Sequence, residues 1–123
     1  MEMNKTQQYN QMREVLNEIK HTSLSGNKEG HFYAYASESE NHIRKKFEVW
    51  LKLKKAGYKL WCEPIFKTGI RMDILAFKEG IFTNYEILEN ETLKELEKKT
   101  KKYPEINIIP IKTNQEIIDL EMF

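Results

Sequence analysis

RMDILAFKEGIFTNYEIL, residues 71–88, decides the fold. Two runs rich in aliphatic and aromatic residues flank Lys78-Glu79-Gly80-Ile81, the pattern of a β-hairpin. If Glu79-Gly80 is a two-residue turn, Lys78 opposes Ile81 and, counting outward, Asp73 opposes Glu86. Directly opposed residues share one face, with α-carbons about 4.5–5.5 Å apart. Leu75, Phe77 and Phe82 fall on the same face, so two acids stand at the mouth of an apolar surface. Like charges in that position destabilise a sheet unless one is protonated or a cation lies between them. A three-residue loop with a bulge at Gly80 would slip the pairing by one and send Glu86 to the other face. Pairing of each acid with a neighbour, Arg71 or a lysine, is the other reading of the same residues.

Working outward, Ser37-Glu38-Ser39-Glu40 reads as a capping box, with Ser37 the cap of a helix that runs to about Ala56 and stops at Gly57. Ile43, Phe47, Trp50 and Leu51 form its expected apolar face, which puts Glu40, one turn before Ile43, on the inward side. YKLWCEPIF reads as a strand with an edge or bulge at Pro64. HFYAYA, residues 31–36, is short, aromatic and a candidate strand. Beyond the hairpin, Asn90 is expected to cap a second helix that ends at Tyr103-Pro104. INIIPIK is a buried strand, and a short terminal helix starts near Asn114. Residues 5–20 read as a helix with a narrow stripe of Tyr9, Met12, Leu16 and Ile19. That stripe either docks on its own domain or pairs with a second copy of the chain. The expected division is an N-terminal helix and linker over 1–30 and one folded domain over 31–123.

Composition narrows the function classes. The 123 residues carry 20 basic and 19 acidic side chains, net +1, so nothing global demands a polyanion and any nucleic-acid binding rests on a local patch. No apolar run is long enough to span a membrane, and the polar start offers no secretory signal. Cys62 is the single cysteine, which excludes a disulfide within these residues and fits a reducing cytoplasm. His21, His31 and His42 lack zinc-ligand spacing. Trp50 and Trp61 read as core, Cys62 as structural, and His42 as a packing residue or a catalyst.

The run from Glu38 to Pro104 has a helix with an early Glu and His, a strand, then R-x-D-I. A turn, a strand carrying a Glu and a helix ending K-x-x-x-Y follow. In that order it resembles the PD-(D/E)XK nuclease superfamily, most closely its competence protein CoiA-like and Holliday junction resolvase-like branches, over roughly residues 31–112. The resemblance implies an α/β restriction-endonuclease-like core, a mixed four-stranded sheet flanked by helices. It implies a DNA endonuclease using Mg²⁺ or Mn²⁺, with Asp73, Glu86 and Glu40 as metal ligands and Glu63 as a further candidate. Where the family usually has a lysine two residues after the Glu, this chain has Leu88. A migrated lysine, Lys46 on the first core helix or Lys99 on the second, would take its place. Arg71, Lys99 and Lys102 are the expected contacts to DNA phosphates, and pairing through the N-terminal helix is the expected route to a homodimer. A catalytically degenerate fold that binds DNA or protein without cutting is the alternative that Leu88 motivates.

Overall fold

The turn at 79–80 sets the register of everything around it. Glu79 and Gly80 both lie at positive φ, 52° and 83°, the two left-handed positions of a type I′ turn. Lys78 accordingly pairs with Ile81, and the pairing runs through Phe77–Phe82, Ala76–Thr83 and Leu75–Asn84 to Ile74–Tyr85. Extended by one residue, the same register sets Asp73 against Glu86.

The computed structural model describes residues 4–22, 25–101 and 106–117. It is an α/β arrangement of three helices and one mixed four-stranded sheet, in the order β1-β2-β3-β4. The helices are α1 (Lys5–Leu16), α2 (Glu40–Lys55) and α3 (Leu93–Thr100). The strands are β1 (Lys59–Cys62), β2 (Ile74–Lys78), β3 (Ile81–Leu88) and β4 (Asn107–Lys112). β1, β2 and β3 are antiparallel neighbours, whereas β4 returns after α3 to lie parallel to β3. Parallel neighbours need a crossover, and α3 supplies it.

Alternation along the strands divides the core in two. Leu60, Cys62, Ile74, Ala76, Tyr85 and Ile87 face Val49, Trp50 and Leu53 of α2. Trp61, Leu75, Phe77 and Phe82 form the other face, with Met12, Val15 and Leu16 of α1 packed on it and Ile19 buried within it. Met12 and Leu16 of the expected stripe, with Ile19 beyond the helix, therefore dock on the chain's own sheet, whereas Tyr9 is exposed.

The buried row of α2 differs from the expected one. Lys46, Val49, Trp50 and Leu53 are buried, whereas Phe47 and Leu51 are 44% and 38% exposed. Spacing of three, one and three residues is one helical face, so Lys46 points inward and the Ile43–Phe47–Leu51 row turns away. Glu40 turns with that row. The cap is Ser39, whose side chain accepts the His42 N–H, and not Ser37. Thr92, in place of Asn90, caps α3 in a capping box with Glu95.

Three further expectations meet the chain differently. Residues 31–36 form no strand; the Tyr33 N–H donates to the Cys62 sulfur, the Tyr33 carbonyl accepts from it, and the Tyr33 side chain packs against the core. Residues 113–117 are turn and irregular structure, and the rest of the expected terminal helix lies outside the described residues. So does the expected stop at Tyr103-Pro104. Gly26 seals the end of β1: a Cβ there would fall 1.5 Å from the Cys62 carbonyl oxygen, and its N–H donates to the Glu63 carbonyl. No helix among the described residues is long and apolar enough to cross a membrane.

Glutamate is a poor occupant of a left-handed turn position, and the penalty is on the order of 1 kcal/mol. Glu79→Asn should therefore raise the denaturation midpoint with the m-value unchanged, checked by urea titration.

Candidate active site

The polar end of the inward row of α2 meets the sheet where β1 ends and β2 begins. Glu38, just ahead of the cap, carries the first carboxylate. Its Oε1 accepts the Tyr35 N–H at 3.0 Å and the Lys46 ammonium at 2.8 Å. Its Oε2 accepts from His42 Nδ1 at 2.7 Å. Residues 38, 42 and 46 are one turn apart, so acid, imidazole and amine stack along one helix face.

Lys46 is fully buried and also donates to Glu63 Oε1 at 3.1 Å. Burial alone would expel its proton, yet the Glu38 hydrogen bond and the Glu63 charge hold its pKa above the ordinary lysine value. Glu63 sits at φ 56°, left-handed, immediately after β1. That conformation costs about 1–2 kcal/mol in a residue with a Cβ. It is held by two backbone bonds, Glu63 N–H to the Asp73 carbonyl and Gly26 N–H to the Glu63 carbonyl. Burial, and then the Asp73 charge, push the Glu63 carboxyl up to about 7. Arg71, its guanidinium 5.1 Å from the Tyr35 ring, lies 3.7 Å from Glu63 Oε2.

Asp73 precedes the first residue of β2, at the end of the sheet. Its Oδ2 accepts the Ile87 N–H at 2.8 Å and lies 3.6 Å from His42 Nε2. Burial works against the Asp73 charge, but His42, the Ile87 N–H and a hydrogen bond from Glu86 hold its pKa below the usual range. A hydrogen bond between two carboxyl groups requires one proton between them. The opposed acids therefore converge, and a proton on Glu86 directed at Asp73 is what would relieve their repulsion. Glu86 is 2% exposed and accepts from Asn84 Nδ2 at 2.8 Å. The Asp73 carboxylate, 3.6 Å from Nε2, raises the imidazole pKa to about 9, against its burial and with help from Glu38.

The charges nearly balance without any added ion. Glu38, Glu63, Asp73 and Glu86 are four acids and His42, Lys46 and Arg71 are three bases. Asp73, Glu86, Lys46 and Arg71 are thus brought together, with Glu63 beside them. Glu40 is not: its carboxylate is 75% exposed and bound to Arg44. Lys99 lies in the last turn of α3, and Lys102 lies outside the described residues. Leu88, 2% exposed, is packed away from solvent. The residue that the sequence reading missed is Glu38, although the E-x-x-x-H-x-x-x-K spacing that leads into Val49, Trp50 and Leu53 carries the signal.

Among the described residues no group of three or more His, Cys, Asp or Glu is arranged to hold a metal ion. Two carboxylates suffice for Mg²⁺, which keeps most of its waters. Asp73 and Glu86 supply such a pair. Beside them Asn84, with no exposed surface, has an Oδ1 that finds no hydrogen-bond partner among the described residues. Hard oxygen donors, one of them orphaned in the interior, fit a hydrated divalent cation.

The shifts fix the pH dependence of the metal-free protein. His42 has a folded pKa above its unfolded value, so its contribution is full below about 6.5 and is lost as pH rises through about 9. Glu63 has a folded pKa raised from 4.5 to about 7, so its ionisation in the folded state also loses stability as pH rises through that window. Unfolding free energy should fall between pH 6 and pH 9 in denaturant titrations, and His42→Gln should flatten the upper part of the decline. In NMR the His42 imidazole should titrate near 9 in the free protein, and lower in Asp73→Asn.

No family model, curated protein or solved structure matches this chain.

Proposed function

We propose that the chain is a divalent-metal-dependent deoxyribonuclease with a restriction-endonuclease-like core, of the PD-(D/E)XK type. The observation that carries this reading is the convergence of Asp73 and Glu86 at the end of the sheet, in the hairpin register that sets them opposite each other. The mixed four-stranded sheet with α2 on one face and an α3 crossover to β4 is in keeping with it.

Asp73 and Glu86 would hold Mg²⁺ or Mn²⁺. The bound ion supplies Lewis acidity toward the phosphate and a water acidified for attack. The chain's own residues do the rest. The Ile87 N–H and His42 orient the Asp73 carboxylate, and Asn84 orients that of Glu86. Lys46 takes the place of the lysine that Leu88 displaces. It enters the cluster from α2 instead of from β3 and meets Glu38 and Glu63, which fix its buried charge. Arg71, 38% exposed, is the cation of the cluster best placed to meet a phosphate.

Leu88 favours a second reading, in which the same architecture binds DNA without cutting it. A leucine can neither orient water nor stabilise charge, and the acids here are already neutralised by His42, Lys46 and Arg71.

Nicking of supercoiled plasmid separates the two. The first reading predicts Mg²⁺- or Mn²⁺-dependent nicking that falls to the level of buffer alone in Asp73→Ala and in Glu86→Gln. Nicking left unchanged in Asp73→Ala refutes the assignment. Salt-sensitive DNA binding with no metal-dependent cleavage in the unmodified protein supports the second reading instead.

A further inference from the structure

Asn84 has a buried amide with one end satisfied and the other end empty. Its side chain is 0% exposed, at a position of β3 opposite Leu75 and on the sheet face that carries Phe82 and Trp61. An apolar side chain of similar size would fit those surroundings without an orphaned polar atom. Nδ2 donates to Glu86 Oε1 at 2.8 Å, which fixes which end of the amide is which: the hydrogen bond from Glu86 is spent on Asp73, so Oε1 has no proton to give in a swapped arrangement. Oδ1 therefore has a defined place next to Glu86, and no donor reaches it among the described residues. Leaving a buried carbonyl unsatisfied is costly, and such groups in folded proteins are accounted for by water, an ion or a functional role.

We propose that Asn84 is a positioning residue of the cation site: its amide N–H holds Glu86 in its ligating orientation, and its carbonyl accepts from a water of the ion's hydration shell. The inference rests on the metal reading above and deepens it. It accounts for both ends of the amide at once. One end orients a ligand, and the other receives the donor that arrives with the ion. Waters on a divalent cation are strong donors, and Mg²⁺ and Mn²⁺ keep several of them when only two carboxylates bind. An outer partner of this kind typically tunes metal affinity 10–100-fold.

The test uses the full chain and Mn²⁺ alone, with no DNA, titrated by electron paramagnetic resonance. Two near-isosteric variants are compared with the unmodified protein, and folding of each is checked by thermal denaturation without metal. Asn84→Leu removes donor and acceptor, and Mn²⁺ affinity should fall about 10-fold or more with little change in metal-free stability. Asn84→Asp gives up the N–H to Glu86 but adds a charged oxygen at the hydration shell, and because that charge acts directly on the ion's waters it outweighs the lost hydrogen bond and Mn²⁺ affinity should rise. Shifts of opposite sign support the proposal, because a role confined to packing would move both variants the same way. Equal affinity in all three proteins, or a loss in both variants, overturns it while leaving the metal site standing. Failure of the unmodified protein to bind Mn²⁺ overturns the metal reading and this inference together.

Discussion

The ammonium of Lys46 has no access to water and is held between the carboxylates of Glu38 and Glu63. The rest of the site follows from that constraint. A buried charge is tolerated only when paired, and removal of one partner of such a pair typically costs about 3–5 kcal/mol. Glu38 is therefore committed to the N-terminal end of α2, where it also orients His42. Glu63 is committed to the end of β1, in a backbone conformation that glutamate does not favour. His42 in turn reaches Asp73, and Asp73 meets Glu86. Acids and bases alternate from Glu63 to Asp73, and the helix is tied to the sheet end through them.

This arrangement explains why part of the molecule was legible from sequence and part was not. The hairpin was legible because its signals are local. Gly80 supplies a left-handed turn position, the flanking runs are apolar, and a two-residue loop leaves one register. The facing of Asp73 and Glu86 followed by counting. The orientation of α2 was not legible, because a pattern reading assigns every lysine to solvent. Lys46 violates that rule, so the expected face shifts toward Phe47 and Leu51 and carries Glu40 inward with it. The acid that belongs there is Glu38, two residues earlier, and the cap moves correspondingly from Ser37 to Ser39. Glu63 is legible as a further candidate ligand, but its place against Lys46 was hidden for a different reason. Its position depends on the left-handed turn after β1 and on the close approach of Gly26, a contact across 37 residues of chain that no local pattern encodes.

Leu88 and Lys46 belong to one account. A lysine on β3 beyond Glu86 would reach the acids along the strand. Here that position is apolar and buried, and a positive charge enters from the helix side. The consequence is geometric. The charge lies behind Glu63 and Glu38 and not at the surface, so it acts on the shape and protonation of the acid cluster, while Arg71 is the more exposed cation. The same burial keeps Cys62 inert: loss of solvent raises its thiol to about 11, although the Tyr33 N–H and Lys46 pull the other way.

The proposed nuclease reading requires Asp73 and Glu86 to take up a divalent cation between their carboxyl groups. Anomalous diffraction at the manganese edge from crystals soaked in Mn²⁺ tests it directly. The account predicts a peak between the two carboxyl groups, with both as ligands. A peak confined to surface acids such as Glu40, or no peak with the Asp73–Glu86 contact intact, would contradict it.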